Sequence, residues 1–307
     1  MTRKPRARHF RCAGIAVLLV AIGLLGGCRR DAAPPPAAET ARGPAGAVLR
    51  LVRDLRRDDL AGYAHHAVPP ALHAQLDAAW REDRSRWPLT ELPLHARLPG
   101  MLSTLAAPGS EKALLATYHR QFAGADGELR SAAATVSLFA VQYLQREGDY
   151  SDEERDHYIQ LVGALSRWGK RAPLGDAPRA RAAIPQLVSA ARLTGLADPQ
   201  RYGQLGMDRS LRRLGPFFAR FKQVLRGYGL DLDAALDSVR VELAEQTGDT
   251  ARVRLRYAIA GQDIDAYVRV ERSQGQWYLT DAVRHARAQA AAPAIAAEPV
   301  LPARRAR

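Results

Sequence analysis

The apolar residues of this chain change period once. From Val48 to Leu225 they recur at the three-to-four-residue spacing of a helix face, and from Ser238 to Thr280 they alternate with polar residues. A helix repeats its face every 3.6 residues and a strand every two. The switch predicts an α+β fold, with a mostly helical N-terminal and central region followed by a four-stranded antiparallel β-meander.

The helical region, residues 47–237, is divided by its prolines, glycines and capping residues. Val48, Leu51, Val52 and Leu55 form one helix face, broken at Asp58-Asp59. Pro69-Pro70 opens a helix carrying Leu72, Leu76, Ala79 and Trp80, which stops by Pro88. Residues 88–109 hold four prolines and are expected to be mostly irregular. Leu114, Leu115, Tyr118 and Phe122 mark one further helix, and Val136, Phe139, Tyr143 and Leu144 another. Ser151-Asp152-Glu153-Glu154 has the form of a capping box ahead of Tyr158, Leu161, Val162, Leu165 and Trp168. Asp176 and Pro178 start a helix with Ile184, Leu187, Val188 and Ala191 inward and Gly195 as its stop; Pro185 predicts a kink or a late start. Asp208 or Ser210 is expected to cap a helix bearing Leu211, Leu214, Phe218, Phe221 and Leu225, with Pro216 distorting it.

The sheet, residues 238–285, is predicted to pack on the helices through one dry face. Val239, Val241 and Leu243, then Val253, Leu255, Tyr257 and Ile259, then Ile264, Ala266, Val268 and Val270, then Trp277 and Leu279 all point to it. A two-residue loop at Gly261-Gln262 sets Ile259 against Ile264, Leu255 against Val268 and Val253 against Val270. A loop at Gln274-Gly275 sets Val270 against Leu279, and a three-residue loop Thr247-Gly248-Asp249 sets Val241 against Leu255. On the opposite face Arg252 meets Glu271, Glu242 meets Arg254, and Arg254 meets Arg269.

Arg3, Lys4, Arg6, Arg8 and Arg11 precede an uncharged run from Ala13 to Gly27. This is the layout of an export signal, and the run falls short of the ~20 residues of a membrane-spanning helix. It ends in Leu25-Gly26-Gly27-Cys28, which resembles the lipobox of bacterial lipoproteins. The resemblance implies a signal peptide over 1–27 and acylation of Cys28, including a palmitate-type chain. It also implies attachment to a membrane, since two or more chains anchor firmly. Arg29 stands where the family's inner-membrane retention signal carries Asp, which implies the periplasmic face of the outer membrane. Residues 28–46 are rich in Pro and Ala and read as an extended tether. Residues 286–307 are Ala, Pro and Arg and read as a disordered tail.

Cys12 would leave with the leader and Cys28 would be lipidated, so the mature chain of 280 residues has no thiol to pair. Loss of the leader's five positive charges lowers the net charge from +13 to +8. The remaining excess is scattered arginine, with only Lys112, Lys170 and Lys222 as lysines, and reads as composition rather than as a binding patch. Outside the cytoplasm, nucleic acid is not an expected partner.

Two stretches resemble the nuclear transport factor 2-like superfamily, a cystatin-like α+β roll. They are Val48 to Tyr63, with Asp58-Asp59-Leu60-Ala61-Gly62-Tyr63 as the turn, and Gly275 to Asp281, with Gly-x-Trp at its start. The resemblance implies a pocket between sheet and helices. The superfamily contains isomerases, dehydratases and binding modules, so it leaves function open. Tyr257 and Trp277, on the dry face, are the candidate pocket residues.

Other polar clusters read as structural. His65, His66 and His73 match no zinc spacing and are assigned to a turn-and-helix surface, so no metal is expected. Glu153 and His157 stand at i, i+4, where a shared ligand or acid/base role competes with a favourable first-turn charge. Asp231, Asp233 and Asp237 lack the glycine and closing glutamate of a calcium loop and read as caps. No G-x-S-x-G, H-E-x-x-H or P-loop occurs, and no cofactor or catalytic residue is assigned. The reading is a lipid-anchored envelope protein that binds an apolar small molecule or an envelope protein without turnover. The alternatives are a roll-type enzyme and an anionic cell-wall or lipid binding module using Arg254 and Arg269.

Overall fold

The computed structural model describes residues 43–92, 97–146 and 149–293. The leader, Cys28, most of the tether and residues 294–307 lie outside the described residues. The architecture is α+β, with helices followed by a four-stranded antiparallel sheet in the order β1-β2-β3-β4.

Helix α1 (Pro44–Arg56) starts inside the stretch expected to be tether, with Pro44 in its first turn and Ala45, Ala47 and Val48 buried. A proline there costs no hydrogen bond, and the small residues allow close packing. Helix α2 (Leu60–Ala67), which the spacing does not mark, is capped by Asp59, whose Oδ1 accepts from Gly62 N; α3 (Pro70–Arg81) follows as the spacing predicts. Residues 88–109 are not mostly irregular: they hold a 3₁₀ turn, Leu89–Glu91, and helix α4 (Leu98–Ala106). Pro99 lies in the first turn of α4, where it is tolerated, and Leu102 is fully buried. Helix α5 is Ser110–Gln121 and α6 is Asp126–Arg146. Of the apolar face expected on α6 only Leu144 is buried, whereas Val136, Phe139 and Tyr143, with Leu138, are exposed.

Helix α7 (Asp152–Gly169) opens on the capping box: Glu154 N donates to Ser151 Oγ and Ser151 N donates to Glu154 Oε2, both at 3.2 Å. Helix α8 (Ala177–Thr194) runs from its Asp176 cap, through Pro185, to Gly195 at φ 63°. After the short α9 (Gln200–Leu205) comes α10 (Met207–Gly227). Neither Asp208 nor Ser210 caps α10. Its N-cap is Gly206, and the Met207 amide donates to Asp77 Oδ1 of α3 at 2.7 Å. Asp208 is thereby freed to point elsewhere. Gly215 lets α10 approach the α1–α2 corner, since a Cβ there would lie 2.6 Å from the carbonyl oxygen of Asp58. Helix α11 (Leu232–Asp237) is capped by Asp231, whose Oδ1 accepts from Ala234 N at 2.9 Å.

The strands are β1 (Arg240–Thr247), β2 (Thr250–Ile259), β3 (Gln262–Ser273) and β4 (Gln276–Leu279). The dry face holds for β2 and β3, but the β2–β3 register differs from expectation. Val253 faces Val268, Leu255 faces Ala266 and Tyr257 faces Ile264. The loop is Ala260-Gly261, both at positive φ, rather than Gly261-Gln262. The shift slides one strand along the other by two residues, so every side chain keeps its face. On the wet face Arg254 meets Tyr267, not Arg269, and Arg252 meets Arg269, not Glu271. Val270 does face Leu279, and Val241 faces Leu255. The latter pairing arises from a two-residue loop plus a bulge between Leu243 and Glu245. Along the edge strand β1 Leu243 is exposed rather than dry.

A final helix, α12 (Thr280–Ala290), occupies sequence expected to be sheet end and tail. Val283 and Ala286 are fully buried against the helical core. Ser85 Oγ donates to Gln289 Oε1 at 3.1 Å, and Arg84 Nη1 to the Ala290 carbonyl at 2.8 Å. Burial of one short apolar stripe outweighs an Ala/Arg composition that by itself suggests no order.

Two elements cover the dry face side by side. Val48 of α1 packs with Val253, Leu255, Val270 and Trp277. Ala164 of α7, with Leu230 and Ala235 around α11, packs with Ile259, Ile264 and Ala266. Tyr257 touches both groups.

Candidate functional site

A cavity of about 230 Å³ lies where α1 and α7 part above the sheet. Val48, Leu51, Val52 and Leu55 of α1 form one wall. Leu255, Val268 and Leu279 form the floor, and His157 and Tyr158 of α7 the facing wall. The far end is polar, with Glu91, Glu154, Asp281 and His285. The helical period puts Leu51 and Leu55 of α1 on the same face, and the strand period puts Leu255 and Val268 on the floor.

The polar end is one network. Arg284 Nη2 donates to Glu154 Oε2 at 2.7 Å, and Arg284 Nη1 to the Asp149 carbonyl at 2.9 Å. Ser151 Oγ donates to Asp281 Oδ2 at 2.8 Å. His285 Nδ1 lies 2.9 Å from Glu91 Oε2, and its Nε2 lies 3.7 Å from Glu154 Oε2. The hydrogen bond to Glu91 lifts the His285 pKa to about 9, so this ring is cationic at neutral pH. Burial, then the charge of Asp281, pushes the Glu154 carboxyl above its usual range. Burial also raises Tyr63, which lines the cavity, to about 12.

His157 sits apart from this network. Its Nε2 is 2.9 Å from Tyr257 Oη, and the rings meet edge-on. Burial lowers the His157 pKa and raises that of Tyr257 to about 12, so both are neutral at neutral pH.

The predicted residues are distributed unevenly. Tyr257 does not line the cavity and reaches it only through His157. Trp277 is buried core between sheet and α1. Glu153 and His157 share a helix but act separately, since Glu153 bridges Arg252 and Arg269 on the wet face of the sheet. Of the two arginines assigned to an anionic partner, Arg269 is thus paired, and Arg254 makes a two-pronged pair with Asp265. His66 Nδ1 lies 2.7 Å from Asp54 Oδ2, whereas His65 and His73 both turn toward Asp208. Among the described residues, His65, His73 and Asp208 are the one group of three whose donor atoms cluster closely enough to hold an ion. Cys28 lies outside the described residues.

Sequence reasoning missed Glu91, Asp281, Arg284 and His285. The one available signal was the spacing of Val283, Ala286 and Ala290, which marks α12 and puts Asp281 in its first turn. Nothing local joins α12 to Glu154, 130 residues away from Arg284.

Comparison of the chain with protein-family models, with curated proteins and with solved structures returns no match. Function therefore rests on the geometry of the site. Among the described residues no helix is long and apolar enough to cross a membrane.

Proposed function

We propose that this chain is a lipid-anchored envelope protein whose folded body binds a small, largely apolar molecule with one hydrogen-bonding end. The cavity between α1, α7 and the sheet carries this reading: an apolar chamber closed at one end by fixed polar groups is the form of a ligand site. Its volume of about 230 Å³ lies below the ~300–1,000 Å³ of drug-sized sites, so the occupant is a single ring or a short chain. The polar end favours binding over turnover. Glu154 is held by Ser151 and Arg284, Asp281 by the same two, and His285 by Glu91. Groups so committed orient a hydroxyl or amine and are poor proton shuttles. The anchor rests on the lipobox resemblance at Cys28, and with it the export and outer-membrane address.

The test is calorimetric titration of the full-length chain in lipid nanodiscs with octanol, octylamine and phenol. One saturable site with a negative heat-capacity change is expected, lost in Val268→Trp, which fills the floor. Absence of saturable binding by all three removes the reading. For the anchor, a palmitate analogue should label the chain in cells and fail to label Cys28→Ser.

A roll-type enzyme is the second reading, because neutral His157 faces the cavity and holds Tyr257. It predicts turnover of a cavity-bound molecule that disappears in His157→Gln while binding persists.

A further inference from the structure

Away from the residues that line the cavity, α2, α3 and α10 bring together His65, His73 and Asp208. His65 Nε2 is 3.0 Å from Asp208 Oδ2, and His73 Nε2 is 3.3 Å from Asp208 Oδ1. All three donor atoms lie within 4.8 Å of one another. Two donors bound to tetrahedral zinc at its usual bond lengths stand about 3.3 Å apart, which the two histidine–aspartate distances approach.

A plain histidine–aspartate hydrogen-bond cluster accounts for only half of this geometry. His65 and Asp208 share one hydrogen bond. His73 Nε2 and Asp208 Oδ1, both buried, face each other at 3.3 Å as an ion pair without the alignment of a good hydrogen bond. A misaligned buried pair gains little, and an ion between the two atoms would take a lone pair from each. The imidazoles are stacked at 3.9 Å and 15°, so their lone pairs run nearly parallel, and one ring must turn to bring both Nε2 atoms onto one ion. Asp208 is available because Asp77, not Asp208, serves the start of α10.

We propose that His65 Nε2, His73 Nε2 and the Asp208 carboxylate form a binding site for a divalent cation of the zinc class. Two imidazoles and one carboxylate suit zinc, and three protein donors leave a fourth position open. That position faces a surface depression of about 510 Å³, edged by Arg81, Arg209 and Arg212, where water or an anion completes the shell. Arg81 is neutralised by Asp77 at 2.9 Å. Arg212 Nη2 is 3.7 Å from Asp208 Oδ2 and opposes a cation, but its side chain is 64% exposed and free to turn outward. Sequence spacing hides the cluster, because Asp208 enters from a helix 143 residues beyond His65.

The experiment uses the full-length chain, purified in detergent without a histidine tag and stripped with chelator. Zn²⁺ is titrated by calorimetry, and Co²⁺ by its visible absorption, which is intense for a four-coordinate shell. One equivalent should bind, and Zn²⁺ should raise the melting temperature. Asp208→Asn and His73→Ala should weaken binding at least about tenfold. His65→Gln, at an exposed position, should do the same with an unchanged circular dichroism spectrum, and it decides the matter if either of the other two variants unfolds. His119→Gln, a solvent-facing histidine elsewhere, should bind as the parent does. Absence of a saturable site, or affinity unchanged in all three ligand variants, overturns the assignment. Arg212→Ala should tighten binding, and weaker binding there would contradict the open-shell geometry.

Discussion

The imidazole Nε2 of His157 stands 2.9 Å from the phenol oxygen of Tyr257, tying α7 to β2 at the edge of the cavity. Both groups are half-buried, so removing one leaves the other without its partner. Tyr257→Phe is expected to cost about 1–2 kcal/mol of unfolding free energy, measured by urea denaturation. A double-mutant cycle with His157→Phe should return a coupling near ~1 kcal/mol. Strict additivity would mean that the bond contributes nothing.

His285 gives the protein a basic-side pH dependence. Its folded pKa of about 9 exceeds the ordinary histidine value of 6.5 because Glu91 accepts from the cationic ring. A raised histidine pKa contributes stability that is whole below pH ~6.5 and fades as pH rises through about 9. The difference in stability between the parent chain and His285→Asn should therefore be largest at pH ~6, of order ~2 kcal/mol, and shrink toward pH ~10. A pH-independent difference would rule out this linkage.

Lys222 is the most deeply buried charge among the described residues. Its Nζ contacts the carboxylates of Asp58 and Asp233 and lies 3.2 Å from the Leu55 carbonyl oxygen. It fastens α10 to the end of α1 and to α11. Lys222→Ala strands the Asp58 carboxylate, while Asp233 keeps Arg56 and Arg226, and should cost about 3 kcal/mol in chemical denaturation. Lys222→Met with Asp58→Asn and Asp233→Asn should recover part of that loss, since apolar replacement of a buried ion group is often tolerated.

Glu153 relieves a like-charge pair. Arg252 and Arg269 face each other across β2 and β3, and Glu153 of α7 contacts both. Arg252 also lies 4.0 Å from the Tyr267 ring centroid. Glu153→Gln should destabilise by about 1 kcal/mol at low salt and by less at high salt, because screening weakens the arginine repulsion it exposes. Equal losses at both salt concentrations would point to packing instead.

Much of the fold is legible in local pattern. The Ser151–Glu154 capping box, the Asp176 cap and the Gly195 stop each use groups within a few residues of one another, and all three stand as the sequence predicts. Alternation fixes which side chains of β2 and β3 are dry, because the face of a strand residue depends only on parity. The β2–β3 register does not follow, because it turns on whether Ala260 accepts a positive φ. Prolines mislead twice in the same way. Pro44 and Pro99 look like breakers but lie in first turns, where the missing amide has no intrahelical partner to lose.

Sequence alone determined the period of each segment, most helix ends and the dry face of the sheet, because these depend on neighbours a few positions apart. Tertiary structure alone decided the rest. It made α12 a helix by burying Val283 and Ala286, and it brought Arg284 to Glu154 and Asp208 to His65 and His73. Such encounters join residues more than a hundred positions apart. Their geometry is set by how whole helices pack, which no local spacing encodes.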